Sequence, residues 1–427
     1  MMFYPNVLVI SHTSFTKENS MGATLASYLE RYPAEHIAQL YIKEMLPNIP
    51  VCRNYFKITD GELLSKVKHP IKTKVGTEIS FTPCEIEAAR GSGAPADARG
   101  AQKRRALGMI LRDLLWSTRL WNTRRFREWI KKVSPEVILV QPGDFGYLLK
   151  LATMLSKKLN IPLVVHQSEA YYLKPRQSRT LAYRIYRKRF NRAYEKMMKR
   201  ASECVYLCEA LERDYKKHFP VGCTIMKGVP QKDSEPKAFD ATAPRFIYAG
   251  NLGEAVGRCK PLLEMGRALK TLGLCIDVYT ASKGGHMAEL TEDNGIVLHG
   301  AVSHGELEAR IRESDFVVHL ENDSPEHVID LKYAFSTKIA EMLASGRCPV
   351  IYGPAEIAGI AYFKEHDLAP VIEREDELCE KIRELIDNAE LREGYIARAG
   401  AWAREHHSSD VNGDKMAELL RNVTEKK

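Results

Sequence analysis

The sequence predicts an α/β protein built from two Rossmann-like domains in tandem. At 427 residues the chain is too long for one ordinary hydrophobic core. Short apolar strand patterns alternate with helical patterns along most of its length, which is typical of parallel sheets covered by helices. A polar, proline-containing stretch near 231–244 interrupts this alternation once. We therefore assign residues 1–235 to the first domain and 236–409 to the second.

The strands of each domain can be assigned in order. The first domain has strand patterns at 7–10, 37–41, 137–140 and 163–166, which 204–207 and 224–226 would complete. An insertion at about 43–130 separates the second and third of these. It contains a low-complexity stretch at 91–100, which predicts a mobile loop, and then helical patterns that carry three tryptophans. The second domain has strand patterns at 246–248, 275–279, 296–299, 316–319 and 349–352.

Composition narrows the class of protein. The chain is 44% hydrophobic and 28% charged, which is typical of globular domains. No apolar run approaches the roughly 18 to 20 residues that a membrane span requires. A strand begins at Asn6, so no signal peptide is evident. The nine cysteines are scattered without zinc-ligand spacing, which favours reduced thiols and a cytoplasmic protein. The net charge of +8 combines a basic first half with an acidic second half.

The segment 335–351 carries the clearest functional signal. Its pattern predicts a helix that begins at Ser336, Thr337 and Lys338 and ends at Gly346, followed at once by an apolar strand. The first N–H groups of a helix and its macrodipole favour anions, and the hydroxyls and lysine would add donors. Glu341 would lie one turn further on, where its carboxylate could accept from a ribose hydroxyl. This arrangement suits a nucleoside diphosphate.

The same segment resembles the donor-binding helix of the GT-B glycosyltransferases, especially family 4. Further stretches resemble other parts of that fold, in the family's order along the chain: 6–11 with 20–29, 164–172, 204–215, 225–230, and 246–253 with the basic pair that follows it. The resemblance covers the chain except 43–130. It implies a nucleotide sugar bound in a cleft between the domains, mostly on the second. It also implies that the final helix, about 410–427, crosses back onto the first domain.

The resemblance also implies roles for individual residues. The donor would contact Gly22, Arg258, Lys260, Ser336, Thr337, Lys338 and Glu341. His166, at a strand end near the reacting sugar, would be catalytic, and Glu169 would face the acceptor. Retention of configuration would follow from family 4. The chain departs from the family at Tyr333, where many members carry a glutamate, and Glu326 and Asp330 are the candidates to substitute for it.

Each residue also has a plain structural interpretation. Arg258 and Lys260 could be solvated charges, Glu341 an exposed helix residue, His166 a structural histidine and Gly22 a turn glycine. No Asp-x-Asp pair that could hold a divalent ion occurs, so we expect neither a metal nor a cofactor. Fixed cations and N–H dipoles would then stabilise the departing diphosphate.

Residues 174–200 form a second basic feature. They contain eleven lysines and arginines against Glu195 alone, with Tyr183, Tyr186, Phe190 and Tyr194 at helical spacing. A basic helix with aromatic anchors suits an anionic membrane surface. A nucleic acid is the competing ligand, but the usual reader motifs are absent, so we expect none. A solvated face whose aromatic residues turn into the core is the third interpretation.

These features, taken with the resemblance, predict a metal-independent glycosyltransferase at the cytoplasmic membrane face. It would move a sugar from a nucleotide donor to a lipid-linked or polysaccharide acceptor. The resemblance alone implies a setting in cell-surface polysaccharide synthesis. Two alternatives stay open: a nucleotide-sugar 2-epimerase, which needs no acceptor, and a non-catalytic relative that binds a nucleotide sugar. The nucleobase, the sugar, the acceptor and the oligomeric state do not follow from the sequence.

Overall fold

A computed structural model describes most of the chain as two compact units. The described residues are 3–17, 19–80, 106–174, 178–231 and 237–426. The loop predicted at 91–100 lies outside them. One unit comprises Met1–Gly228 with Ser409–Lys427, and the other Val229–Ser408. The change of unit thus lies at 228/229, a few residues before the predicted boundary at 235, and the C-terminal helix belongs to the first unit.

The first domain is built on a mostly parallel sheet. In the described ranges its strands are β1 (Val7–Ser11), β2 (Ile37–Tyr41), β3 (Asn54–Lys57), β4 (Thr77–Ser80), β5 (Val137–Val140), β6 (Leu163–Gln167), β7 (Glu203–Tyr206) and β8 (Cys223–Thr224). Their order is β4-β3-β2-β1-β5-β6-β7-β8, and only β4 runs antiparallel to its neighbour. Strands β3 and β4 lie inside the predicted insertion, which therefore extends the sheet. The sequence missed them because both are four residues long and β4 is largely exposed.

Helices alternate with most of these strands along the chain. In the described ranges they are α1 (Ser20–Ser27), α2 (Asp60–Lys68), α3 (Ala106–Ser117), α4 (Arg124–Val133), α5 (Gly146–Leu159), α6 (Leu181–Met198) and α7 (Glu209–Lys216). The core joins residues of the central strands to α1, Tyr28 and Leu29. The C-terminal helix contributes Met416 and Leu420 to the same core. Burial of these side chains holds the C-terminal helix on the first domain, although the helix is far from the rest of that domain in sequence.

The second domain has a fully parallel sheet. Its described strands are β9 (Phe246–Ala249), β10 (Ile276–Tyr279), β11 (Ile296–His299), β12 (Phe316–Leu320), β13 (Cys348–Tyr352) and β14 (Val371–Ile372), in the order β11-β10-β9-β12-β13-β14. This is the Rossmann order, in which the direction of winding reverses between the first and fourth strands, here β9 and β12. Ligands of open α/β sheets bind at the carboxyl ends of the strands at that point. The predicted α/β fold is confirmed.

Helices flank the second sheet, and one of them differs from its prediction. They are α8 (Cys259–Thr271), α9 (His304–Glu313), α10 (Pro325–Leu331), α11 (Ile339–Leu343), α12 (Ala358–Glu365), α13 (Leu378–Asp387) and α14 (Ala389–His406); α15 (Ser409–Glu425) ends the chain. The helix predicted to begin at Ser336 is shorter in the structure: it is the five-residue α11, which begins at Ile339 with Lys338 as its N-cap. The backbone N–H of Ile339 bonds to Ser336, so 336–338 form a turn before the helix. Gly346, with φ of 68°, follows the helix as predicted.

Candidate functional site

A cavity opens in the second domain where β9 and β12 end. It is lined by Tyr248, Ala249, Gly250 and Asn251 at the end of β9, by Val318 and His319 of β12, by Leu307 and Ile311 of α9, and by Arg258, Ser336, Lys338, Glu341 and Met342. The position matches the reversal point of the sheet. Four residues predicted to bind the donor, Arg258, Ser336, Lys338 and Glu341, thus share one cavity. Thr337 and Lys260 are not among its lining residues, and Gly22 belongs to the other domain.

Arg258 forms a bidentate ion pair with Glu321 at the wall of the cavity. Its Nε lies 3.0 Å from Glu321 Oε2 and its Nη2 2.5 Å from Oε1. The side chains are 18% and 3% exposed. Burial tends to lower the pKa of the Arg258 guanidinium, but Glu321 and Tyr248 raise it above its ordinary value. Glu321 follows β12 directly, so a strand end and the first turn of α8 hold the fork in place.

Lys260 is also paired with carboxylates. Its Nζ lies 2.5 Å from Asp323 Oδ1 and 3.0 Å from Glu264 Oε1, and the lysine side chain is half exposed. Burial tends to lower the pKa of Lys260, and the two carboxylates raise it overall. The sequence analysis treated Arg258 and Lys260 as a basic pair. In the structure three carboxylates of the same domain balance their charge.

Lys338 connects the turn before α11 to the end of β9. Its Nζ donates to the carbonyl of Ala249 over 2.8 Å, and its backbone N–H donates to Ser336 Oγ over 3.3 Å. Glu341 is half-buried in the first turn of α11. The lysine, the serine hydroxyl and the carboxylate therefore face one small volume, although α11 is far shorter than predicted.

The sequence did not point to two residues that line the cavity or to one that holds a lining residue. Tyr248, which packs against Gly250, and His319 line the cavity, and Glu321 holds Arg258. Burial lowers the pKa of His319 to about 4. Its Nε2 has no hydrogen-bond partner among the described residues, and lies 3.8 Å from Glu321 Oε1. The signal that could have found His319 and Glu321 is their place at the carboxyl end of an apolar strand.

In the first domain, His166 lies on β6 and is completely buried. Its Nδ1 is 3.5 Å from the amide nitrogen of Gln141, and its ring packs edge-on against Tyr28 at 5.0 Å. Burial lowers its pKa to about 4, so the imidazole is neutral at pH 7. Its Nε2 has no hydrogen-bond partner among the described residues. The imidazole is thus enclosed in this conformation.

Glu169 follows β6 and has an exposed surface. The protein around it nevertheless raises the pKa of its carboxyl through desolvation, which Lys174 partly opposes. The carboxylate can therefore be reached by a ligand although neighbouring atoms desolvate it.

Gly22 makes a close approach between protein segments. It lies in the first turn of α1, where its N–H donates to Asn19 Oδ1 over 3.3 Å. A Cβ at this position would lie 2.4 Å from the carbonyl oxygen of Ser14. A glycine is therefore required for α1 to pack on the loop that follows β1, whatever else approaches its backbone.

The basic segment forms α6, and its aromatic residues face inward. Tyr186, Phe190 and Tyr194 are at most 3% exposed, so the prediction that they anchor the chain in a membrane is wrong. They follow the i, i+4, i+8 stripe that packs on the domain core. The exposed stripe carries Leu181, Arg184, Ile185, Lys188, Arg192, Lys196 and Lys199. Of the predicted segment, residues 175–177 lie outside the described residues.

The comparisons with known proteins agree with this geometry. Residues 264–420 match a family model described as glycosyl transferase-like. No curated protein sequence matches the chain. None of the described helices combines the length and apolar character that a bilayer crossing requires.

Solved structures share the fold over nearly the whole chain. Sucrose-phosphate synthase from Thermosynechococcus elongatus is 12% identical with a TM-score of 0.63, covering 99% of this chain and 100% of its own. Anabaena HepE, solved in complex with UDP, is 14% identical with a TM-score of 0.60, covering 98% and 100%. WaaG, a glycosyltransferase involved in lipopolysaccharide biosynthesis, is 12% identical with a TM-score of 0.56, covering 97% and 99%. The predicted resemblance to GT-B glycosyltransferases is confirmed by this fold and the family match.

Proposed function

We propose that this chain, a glycosyltransferase of the GT-B fold, moves a sugar from a nucleoside-diphosphate donor to a lipid-linked or polysaccharide acceptor. One observation carries the proposal. Arg258, Ser336, Lys338 and Glu341 converge on a cavity at the reversal point of a Rossmann-ordered sheet. Cationic and hydroxyl donors beside one carboxylate suit a diphosphate joined to a ribose.

Within this cavity the diphosphate is bound by Arg258, Lys338 and the Ser336 hydroxyl. A guanidinium fork matches two phosphate oxygens, and the ammonium adds a compact charge. Lys260 adds positive charge outside the lining, and Thr337 adds a second hydroxyl to the same turn. The carboxylate of Glu341 accepts from the ribose. These fixed donors stabilise the diphosphate as it leaves, so we propose that no metal ion is needed.

Glu321 acts as a positioning residue in this scheme. Its two oxygens hold the guanidinium of Arg258 in one plane before a ligand arrives. A diphosphate can then use the remaining N–H donors without ordering the side chain, which lowers the entropy cost of binding. The neutral His319 beside the pair adds a hydrogen-bonding group and no further charge at pH 7.

For the sugar, we propose contacts from the first domain. His166, the next-to-last residue of β6, has an imidazole nitrogen without a hydrogen-bond partner among the described residues. Because its side chain is enclosed in this conformation, its role towards the donor sugar rests on the family resemblance. Glu169 supplies an exposed carboxylate for the acceptor. Gly22 keeps the α1 N-terminus close to the loop after β1. Retention of configuration rests on the family resemblance. We propose UDP as the first nucleotide to test because HepE was solved with UDP and with UDP-glucose.

We propose attachment to the cytoplasmic face of an anionic membrane through α6. Because the aromatic residues of α6 are buried, the apolar anchors in this proposal are the exposed Leu181 and Ile185. They lie on the same stripe as Arg184, Lys188 and Arg192. This position suits a lipid-linked acceptor in cell-surface polysaccharide synthesis. Each cation near such a surface contributes about 1 kcal/mol.

The donor site is tested by thermal unfolding against a panel of nucleotides and nucleotide sugars. Ligand at 100 times its dissociation constant stabilises by about 2.7 kcal/mol, which shifts the melting temperature by several degrees. We expect a response to one nucleoside diphosphate and its sugars, and a smaller one in Glu341→Ala. Glu390→Ala, an exposed glutamate of the same domain, is the matched control. No response to any nucleotide would refute the donor site. Conversion of free donor without acceptor would favour the epimerase.

The membrane proposal is tested by co-sedimentation with vesicles of phosphatidylglycerol and phosphatidylcholine. The triple variant of Arg184, Lys188 and Arg192 to Gln should bind roughly 100-fold more weakly at low salt, from about 3 kcal/mol of lost attraction. The control removes the same charge from exposed lysines elsewhere on the first domain: Lys131, Lys157 and Lys158 to Gln. Equal loss in both variants would mean that attraction is diffuse, and no binding by wild type would exclude attachment.

A further inference from the structure

A second cavity lies wholly within the first domain, beside the carboxyl end of β5. Its lining includes Asp60 of α2, Gly108 and Arg112 of α3, and Phe145 and Tyr147 at the start of α5. Asp113, Asp144 and Tyr186 complete its polar wall. None of these residues belongs to the donor cavity. The carboxyl edge of a parallel sheet is where such folds bind ligands, so this cavity has the position of a substrate site.

The polar groups of the cavity are held rigidly. Arg112 Nη2 lies 2.7 Å from Asp60 Oδ2, and the other carboxylate oxygen of Asp60 accepts from Trp116 Nε1 over 2.8 Å. Asp113, 3% exposed, lies 3.2 Å from Lys150 Nζ. The Nε of Arg112 is buried and has no hydrogen-bond partner among the described residues. The site therefore presents fixed acceptors and one unsatisfied donor.

Aromatic rings form the remaining wall. The guanidinium of Arg112 lies 5.0 Å from the ring centre of Phe145 and 4.9 Å from that of Tyr147. Tyr147 in turn stacks on Trp116, with ring centres 4.6 Å apart and planes 16° apart. Rings beside a few fixed polar groups are the usual composition of a small-molecule site. Flat apolar rings bury C–H faces, while carboxylates accept from hydroxyls.

The charge of the cavity selects against anions. Three carboxylates, Asp60, Asp113 and Asp144, face two cations, Arg112 and Lys150, so the local balance is negative. A phosphate placed there would meet like charges at short range. A neutral group rich in hydroxyls can donate to the carboxylates and accept from Arg112. A sugar ring has this chemistry.

An exposed apolar stripe adjoins the cavity. On α3, Leu107, Leu111 and Leu114 follow i, i+4, i+7 spacing and are 49–60% exposed. Gly108 and Arg112, on the next face of the same helix, line the cavity. Helix α3 packs against α6, which also carries two exposed apolar residues, Leu181 and Ile185. Exposed patches of this kind mark interaction with lipid or a partner.

We propose that this cavity binds the terminal neutral sugar of a lipid-linked acceptor, with its lipid on the apolar stripe. The linking phosphate is then held by Arg184 and Lys188 of α6, which are exposed beside Ile185. The negatively charged cavity thus matches the sugar, the apolar stripe matches the lipid, and the basic helix α6 matches the phosphate of one lipid-linked molecule. The assignment of this ligand as the acceptor rests on the proposed function; the binding itself does not.

The test uses the full-length chain and decyl glycosides below their micelle concentration. Decyl β-glucoside, β-galactoside, α-mannoside and β-N-acetylglucosaminide are titrated against tryptophan fluorescence, since Trp116 stacks on the cavity wall. Decanol and decyl phosphate are the comparisons. A Cβ at Gly108 would meet no atom within 4 Å, so Gly108→Leu and Gly108→Trp introduce progressively larger side chains at the cavity wall from a position with room for the Cβ. Replacing a helical glycine also favours the helix.

We expect saturable binding of at least one decyl glycoside, at least tenfold tighter than decanol or decyl phosphate. Affinity should fall progressively from wild type through Gly108→Leu to Gly108→Trp, by at least tenfold in the last. Gly400→Trp, on a helix of the other domain, should bind as wild type does. Circular dichroism verifies that each variant is folded.

Three results would overturn the proposal: no saturable glycoside binding, decanol or decyl phosphate binding as tightly as the glycosides, or equal affinity in Gly108→Trp. The response of wild type to the nucleotide panel is measured in the same preparations. Glycoside binding without a response to any nucleotide would contradict the donor site and leave the sugar site standing. A nucleotide response without glycoside binding would contradict the sugar site and leave the donor site standing.

Discussion

Replacing Arg258 by methionine should lower the stability of the second domain, and a second substitution at Glu321 should restore most of that stability. The change leaves the Glu321 carboxylate, 3% exposed, without its bidentate partner. Removing one member of a buried pair costs about 3–5 kcal/mol because the other charge stays buried. At about 2–4 °C per kcal/mol for a domain of this size, the melting temperature should fall by roughly 6–20 °C.

The double variant Arg258→Met/Glu321→Leu removes both charges and should recover most of this loss, because apolar replacements of buried pairs are often neutral.

Differential scanning calorimetry measures both effects, and titration with UDP measures binding. Lys381→Met is the matched control, since Lys381 and Glu384 form a pair at 3.0 Å with both side chains 45% exposed. Its cost should stay below about 1 kcal/mol. A single variant that loses no more than this control, or a double variant as unstable as the single, would refute the reasoning. Both variants should lose UDP affinity; a double variant that binds UDP normally would remove Arg258 from the proposed donor site.

Three further predictions follow from individual contacts. Glu341→Gln should raise the donor KM by roughly 10- to 100-fold, because a charged hydrogen bond worth about 1.5–3 kcal/mol is lost. An unchanged KM in steady-state assays would exclude the ribose contact. Gly22→Ala should destabilise by about 1–3 kcal/mol in chemical denaturation, because its Cβ would lie 2.4 Å from the Ser14 oxygen; Gly61→Ala, which has room, should not. Burial lowers the pKa of His166 from 6.5 to about 4, so as the pH falls the unfolded chain binds a proton at this residue before the folded chain does. The free energy of unfolding should therefore fall by on the order of 3 kcal/mol as the pH drops from about 6.5 to about 4. His166→Gln should weaken that fall in unfolding experiments across this range, and an unchanged acid profile would mean that the imidazole is not enclosed.

The fold class could be predicted because each strong strand pattern is local. Val7–Ser11 and Phe316–Leu320 are buried along their whole length, and such strands stand out as apolar runs in any sequence. Thr77–Ser80 could not be found in this way, since it is an exposed edge strand whose place depends on pairing with Asn54–Lys57. The β propensity of a short segment is a weak guide to a strand where the segment is not also buried.

From the sequence alone, the two α/β domains followed from the alternation of strand and helix patterns. Ser336, Lys338 and Glu341 followed from the pattern of a helix start, which favours anions, and Arg258 from the resemblance to the GT-B glycosyltransferases. Only the tertiary structure decided which charges are balanced, as by Glu321 for Arg258, and which aromatic residues of α6 are buried. It alone revealed the cavity of the first domain around Arg112. Pairing and burial depend on residues far apart in sequence, so the amino-acid order does not display them until the chain has folded.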